Sequence, residues 1–357
     1  MTFVAIVPAG GAGTRLWPLS RRSHPKFLID MTGAGRTLIQ ATADRLAGLA
    51  DDLIVVTGAA HAAAVADQLD LDERSLVVEP APRGTMPAIG LVAAIVEQRY
   101  GGDAIVGSFA ADHLISDTNA FDEAVRRAIA AAERDLVVTI GISPTSPDTG
   151  FGYIHQGAAT EVDGVSSVSE FMEKPDLETA SRYVESGEYL WNAGMFIAKT
   201  RVLLDALARF EPDLASDLRD IARSWDGPDR DSALGLWDGL KDSVIDRVIA
   251  EPLAAEGGVA TVPASMGWSD IGGYLALSEH LDDPSGGISA GGTAQSIVLS
   301  DAPDSVVYAH DRPIVIHGIP GAVVVDTGDV ILLTTKEASS GLGGVVSALP
   351  GDVQHLR

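Results

Sequence analysis

The chain has no cysteine, which excludes disulfides and thiolate chemistry. It has no apolar run long enough to span a membrane and no signal-peptide pattern at its start, so a cytoplasmic location is expected. Basic residues are scarce: 25 Lys and Arg stand against 50 Asp and Glu, for a formal net charge of −25. That balance argues against nonspecific binding to nucleic acid or to an anionic membrane. One local shortage runs the other way. The first 29 residues contain no Asp or Glu, so an acidic protein has kept one segment fit for a polyanionic small molecule. What remains is ordinary for a globular protein, with 46% hydrophobic and 21% charged residues. The 357 residues suffice for one large domain and a smaller one.

The acid-free segment opens on Phe3-Val4-Ala5-Ile6-Val7, an apolar run that reads as a buried strand. It continues as Pro8-Ala9-Gly10-Gly11-Ala12-Gly13-Thr14-Arg15-Leu16-Trp17-Pro18-Leu19-Ser20, with Pro25-Lys26 close behind. A strand entering a glycine-rich turn lets backbone N–H groups approach an anion, and Arg15 and Lys26 supply neutralising charge. The glycines are too compressed for the Rossmann pattern, and the Gly-Lys-Ser/Thr ending of a P-loop is missing.

Beyond the loop, strand candidates at 3–8, 53–57, 76–79, 104–109 and 136–141 alternate with helical patterns near 37–49, 60–69, 87–100 and 120–134. Such alternation predicts an α/β fold, a Rossmann-like, doubly wound and mainly parallel sheet. Ligands of such sheets sit beyond the carboxyl ends of the strands. The glycine loop, Glu79-Pro80 and Ala111-Asp112-His113 fall at such ends. Residues 142–200 read as irregular, with β segments and a helix near 177–186. Residues 201–256 read as mostly helical, interrupted at Asp226-Gly227-Pro228-Asp229. The composition shifts at Asp282–Gly287, after which short β-rich runs recur at 296–299, 305–309, 314–317, 322–325 and 330–334. The expected division is therefore a catalytic domain over 1–283 and a small all-β domain over 284–357. A few coils of a parallel, left-handed β-helix is the expectation for the latter.

The loop, taken with Pro25-Lys26, resembles the signature of sugar-1-phosphate nucleotidylyltransferases. The Trp17 form and Ser20-Arg21-Arg22-Ser23-His24-Pro25-Lys26 resemble the mannose-1-phosphate guanylyltransferases within that family. Further motifs follow in the family's order. Glu79 to Ile89 is similar to its base-binding loop, and Phe109-Ala110-Ala111-Asp112-His113 to its metal-binding Asp motif. Gly150 to Ile154, Phe171-Met172-Glu173-Lys174-Pro175 and Trp191-Asn192-Ala193-Gly194 are similar to its sugar-phosphate motifs. Met266 to Gly272 is similar to its second metal-binding Asp motif. Two departures stand out: Phe27 where many members carry Gln, and Gly84 where many carry Asn.

The resemblance implies a role for each motif. Gly10, Gly11, Gly13, Thr14, Arg15 and Lys26 would hold the nucleotide's phosphates, with Glu79 and Gly84 at the base. An ionised Glu79 can accept from the two adjacent donors of guanine, while Gly84 frees its N–H. Gly152, Glu173, Lys174, Asn192 and Gly194 would hold the sugar phosphate, Asn192 offering both donor and acceptor. Asp112 and Asp270 would bind Mg²⁺, which prefers a few carboxylates plus water and phosphate oxygens. Arg15, Lys26 and Asp112 are the expected catalytic set. The implied reaction joins GTP and mannose 1-phosphate into GDP-mannose and pyrophosphate, by in-line attack without a protein nucleophile. Two rivals stay open: the same chemistry with another pair such as UTP and glucose 1-phosphate, and a nucleotide-sugar sensor without turnover. Partners are expected to be the two substrates, with a homodimer as the one assembly entertained and neither nucleic acid nor membrane.

Overall fold

The structure, a computed structural model, describes residues 1–11, 13–281, 288–292 and 297–356. The elements begin β1 (Phe3–Ala9), α1 (Leu38–Leu46), β2 (Asp52–Gly58), α2 (Ala62–Leu69), β3 (Leu76–Glu79), α3 (Thr85–Tyr100), β4 (Ile105–Ser108), β5 (Leu114–Ile115) and α4 (Thr118–Ala132). They continue β6 (Val137–Ile142), β7 (Gly152–Ala159), β8 (Ser166–Glu173), α5 (Leu177–Ser186), β9 (Tyr189–Lys199), α6 (Thr200–Phe210) and α7 (Pro212–Ser224). Next come α8 (Arg230–Ala233), α9 (Glu251–Ala255), β10 (Val259–Ala264), β11 (Trp268–Ser269) and α10 (Tyr274–Ser278). The expected strands and helices of the first half appear within a few residues of their expected ends. The architecture is mixed α/β with a strand-rich C-terminal region. No helix among the described residues is long and apolar enough to cross a membrane.

The chain forms two compact units. One comprises Met1–Gly10, Thr42–Ala111 and Ile115–Trp268; the other comprises Gly11–Ala41, Asp112–Leu114 and Ser269–Arg357.

The first unit is built on a nine-stranded sheet in the order β3-β2-β1-β4-β9-β6-β10-β8-β7. β1 pairs in parallel with β2 and β4, and β2 with β3, so these strands end along one edge. Their near-continuous apolar runs, such as Val4–Val7 and Ile54–Val56, are buried, as expected of strands covered on both faces. α3 is buried from Met86 through Val96 and packs against α6 and α7. The sheet turns antiparallel where β9 inserts between β4 and β6 and where β7 meets β8. A short β7–β8 connection explains the latter, since parallel pairing would need a long crossover. The stretch 142–200, expected to mix irregular chain with β segments and a helix near 177–186, holds β7, β8, the eleven residues of β9, and α5 at Leu177–Ser186.

The second unit contains β12 (Ile288–Gly292), β13 (Ile297–Ser300), β14 (Ser305–Ala309), β15 (Ile314–His317), β16 (Ala322–Asp326), β17 (Ile331–Thr335) and α11 (Leu342–Ser347). β12, β14 and β16 pair in parallel, as do β13 and β15. Ser305 lies opposite Ile288, Val323 opposite Val306 and Ile314 opposite Ile297, a constant step of seventeen residues. β17 pairs antiparallel to β16. The expectation of an all-β domain needs correcting, because the chain closes with α11 and a 3₁₀ segment, Gly351–Leu356. Leu342 and Val346, one helical turn apart, and Leu356 enter the same core as Leu16, Trp17, Tyr274 and Val323. That burial decides for helix. The expected boundary at 283/284, the compositional shift at Asp282–Gly287, Ser296 and Ala12 lie outside the described residues.

Candidate active site

In the second unit, the glycine loop relies on backbone freedom. Gly11 and Gly13 have φ of 89° and 60°, values that side chains resist. A Cβ on Gly13 would also stand 2.9 Å from Lys26 Cβ. Gly13 leads into one 3₁₀ turn, Thr14–Leu16, which buries Leu16 and leaves Thr14 and Arg15 exposed. The turn is held from the C-terminal side of the chain. The Tyr274 hydroxyl lies 2.9 Å from the Leu16 carbonyl and 3.0 Å from that of Trp17, within donating reach of both. Trp17 Nε1 donates to the Leu356 carbonyl at 2.7 Å. Arg21 grips Asp329 with both terminal nitrogens, each contact 2.6 Å. The C-terminal segment thus braces the loop, a role its sequence did not disclose.

Lys26 is buried and opens the 3₁₀ turn Lys26–Leu28 behind Pro25. Its ammonium lies 2.7 Å from Asp112 Oδ2 and donates to the backbone carbonyl of Asp270. Burial opposes ionisation of Asp112, but Lys26 and His113 overcome it and hold the carboxyl below the usual carboxylate range. A Cβ on Gly272 would lie 3.1 Å from Asp270 Oδ2 and 3.2 Å from an Arg15 terminal nitrogen. Arg15, Lys26, Asp112 and Asp270 therefore form one cluster. Among the described residues, no three His, Cys, Asp or Glu gather to cage an ion. Two hard carboxylates beside cations suit a cation such as Mg²⁺, which completes its shell with water and phosphate oxygens. Phe27 is buried in the hydrophobic interior, which accounts for an apolar residue at that departure.

In the first unit, β3 ends at Glu79, whose side chain is buried. Burial pushes its carboxyl up to about 7. The following loop is pinned by Trp237 Nε1 donating to the Ala81 carbonyl at 2.7 Å and Arg83 donating to the Asp238 carbonyl at 2.7 Å. Gly84 caps α3 with φ 83° and ψ 179°. The backbone bonds Ser243 N to Arg83 O and Met86 N to Ser243 O flank it, at 3.0 and 3.1 Å. A Cβ on Gly84 would fall 2.2 Å from the Ser243 carbonyl oxygen, so glycine is required twice over. Gly84→Ala should destabilise the protein by about 1–3 kcal/mol from backbone strain alone, read as a lower Tm. An unchanged Tm would show that the loop relaxes freely.

The sugar-side residues meet across β7, β8 and β9. Gly152 lies opposite Glu173, and a Cβ there would stand 2.9 Å from Glu173 Oε2 and 3.4 Å from Asn192 Cβ. Lys174, at φ 50°, turns its ammonium to 3.2 Å from Glu173 Oε1. Glu251 Oε1 accepts from the Glu173 N–H at 2.9 Å. Asn192 is more committed than expected. Its Oδ1 accepts from Thr139 Oγ1 at 2.6 Å and from the Gly194 N–H at 3.2 Å, and its Nδ2 donates to Asp246 Oδ1 at 2.8 Å. One amide N–H is left for a ligand, not the donor and acceptor pair expected from sequence. Gly194, at φ 69°, sits within β9 where its pairing with β6 shifts register, and there its N–H meets Asn192.

Asp246 escaped the sequence reading, as did Thr139 and Glu251. Asp246 begins a single π turn, Asp246–Ala250, a distortion often found at functional sites. The available signal was an Asp and a Glu five residues apart within a helical stretch.

The model of the nucleotidyl transferase family matches residues 4–283. The mannose-1-phosphate guanylyltransferase of Escherichia coli K12 is 36% identical over 364 residues, covering 98% of this chain and 74% of the relative. The xanthan biosynthesis protein XanB of Xanthomonas campestris is also 36% identical, over 96% of this chain and 72% of its own. Among solved structures, a mannose-1-phosphate geranyltransferase from Thermus thermophilus superposes with a TM-score of 0.85 at 29% identity, covering 98% of this chain and 99% of that one.

Proposed function

The chain belongs to the nucleotidyl transferase family, and from that premise we propose that it makes GDP-mannose from GTP and mannose 1-phosphate. A phosphate oxygen of the sugar phosphate forms a bond to the α-phosphorus of GTP as the bond to pyrophosphate breaks. The charged nucleophile arrives with the substrate, so the protein's work is to orient and neutralise.

The observation that carries this reading is the Lys26 ammonium shared between the Asp112 carboxylate and the Asp270 carbonyl. It makes one unit of a cation and two carboxylate-bearing residues, a device for phosphate chemistry that binding alone would not need. Arg15 and Lys26 take the phosphates with the N–H groups of Gly10, Gly11, Gly13 and Thr14. Glu79 and Gly84 take the base. Gly152, Glu173, Lys174, Asn192 and Gly194 take the sugar phosphate. Asp112 and Asp270 would hold Mg²⁺, whose charge, when bound, offsets that of the phosphates. Outside the site, we take the seventeen-residue strand steps as coils of a parallel, left-handed β-helix, and β1 to β4 with their helices as the doubly wound half of the sheet.

Pyrophosphate release measured across a grid of nucleoside triphosphates and sugar 1-phosphates tests the proposal. GTP with mannose 1-phosphate should be the best pair. A clear preference for UTP or dTTP would overturn the base assignment, and a better sugar than mannose the sugar assignment. Turnover with no pair would favour the sensor.

A further inference from the structure

Asp246 sits in the sugar cluster without belonging to any motif that the resemblance supplied. Its Oδ1 accepts from Asn192 Nδ2 at 2.8 Å. The amide oxygen of Asn192 is fixed by Thr139 and Gly194 on the other side, so Asp246 completes a clamp that leaves the amide one orientation. We propose that Asp246 is a positioning residue for the sugar 1-phosphate: it aims Asn192, and its charge state sets how well the anionic substrate is accepted. The inference rests on reading this cluster as the sugar-phosphate site.

The groups that face Asp246 are Glu173 and Lys174 at the end of β8 and Asn192 on β9. Burial first, and then the charge of Glu173, push the Asp246 carboxyl up to about 7, while Lys174 and Asn192 pull the other way. A neutral Asp246 leaves the Glu173–Lys174 pair beside the substrate, and the two charges of that pair cancel. An ionised Asp246 adds an uncompensated negative charge where a phosphate monoester must dock. The sign follows: the carboxyl is neutral below its raised pKa and charged above it, so affinity for the sugar 1-phosphate falls as pH rises through about 7. The hydrogen bond to Asn192 survives in either state, because a carbonyl oxygen and a carboxylate oxygen both accept.

The test compares wild type, Asp246→Asn and Asp246→Ala from about pH 6 to about pH 8.5, with KM for mannose 1-phosphate and for GTP read separately. Titration of the substrate's own phosphate is common to all three proteins and cancels in the ratio. The wild-type KM for mannose 1-phosphate should rise roughly 3- to 10-fold more across that range than the KM of Asp246→Asn, the scale of one charge contact at a solvent-reachable site. Asp246→Asn keeps an acceptor for Asn192 and should bind the sugar phosphate well at every pH. Asp246→Ala should raise that KM throughout, and KM for GTP should follow one and the same pH profile in all three. Parallel pH profiles of KM for mannose 1-phosphate in wild type and Asp246→Asn, or a substitution that shifts both KM values equally, would overturn the proposal. If Asp246→Asn does not fold, Asp246→Ser carries the same pH expectation. Absence of wild-type turnover with mannose 1-phosphate would instead count against the proposed function, and the comparison would be repeated with the sugar 1-phosphate that the grid identifies.

Discussion

Asp112→Asn and Asp270→Asn are each expected to lower kcat by at least about 10²-fold, the usual cost of one preorganised electrostatic stabiliser. Asparagine keeps the shape of aspartate and removes its charge. At Asp112 the expected loss is double, because the carboxylate faces Lys26 at 2.7 Å and is also one of the two donors proposed for Mg²⁺. Without it, the Lys26 ammonium loses its ionised partner. At Asp270 the experiment is cleaner. Lys26 bonds to the backbone carbonyl of that residue, which the substitution leaves in place, so Asp270→Asn isolates the carboxylate. The measurement is kcat against Mg²⁺ concentration for both variants, with GTP binding without metal as the control. GTP binding should change much less than turnover. Normal turnover by both variants at limiting Mg²⁺ would remove these two residues from metal binding.

The parts of the fold visible in sequence are those set by local pattern. β1 and β2 are buried on both faces, so they announce themselves as apolar runs. α3 is framed by the Gly84 cap and by Gly101 at its end. The glycine loop was legible because its chemistry is written contiguously, from Gly10 to Lys26. The strands after β12 were legible from their turn residues, and even their spacing was visible as recurrence.

The parts that were hidden depend on partners distant in the chain. Asp246 meets Asn192 across 54 positions, and neither residue's neighbourhood forecasts the other. Trp17 was read as a motif letter, yet its indole N–H holds the Leu356 carbonyl across 339 positions. The helix α11 contains Gly343 and Gly344, which local propensity disfavours; burial of Leu342 and Val346 outweighs it. Gly84 shows the same limit from the other direction. In sequence, a glycine in place of the family's frequent asparagine is only a departure that frees an N–H, whereas the fold presses the Ser243 carbonyl against that position and excludes any Cβ.

Glu79→Gln is expected to lower kcat/KM for GTP by roughly 10- to 100-fold, a cost of about 1.5–3 kcal/mol for a hydrogen bond to a charged group. Guanine offers two adjacent donors, N1–H and the 2-amino group, and an ionised carboxylate accepts both. Glutamine keeps the size but turns one donor toward those donors. Burial sharpens the prediction. In the free protein the Glu79 carboxyl is pushed up to about 7, so it holds its proton below that pH and loses it above. Guanine's donors favour the ionised form, and GTP must therefore displace the proton on the acid side. Wild-type kcat/KM for GTP should climb as pH rises toward about 7 and then level off, a profile that reports the free enzyme. In Glu79→Gln that limb should be absent. ATP and UTP, which gain nothing from the carboxylate, should lose much less on substitution, because discrimination at such a site comes from buried groups left unpaired by the wrong base. The measurement is kcat/KM for GTP, ATP and UTP in both proteins across the pH range. An equal drop for all three, with the acid limb retained, would make Glu79 a support for the loop's shape and leave guanine to be read by backbone groups such as the Gly84 N–H.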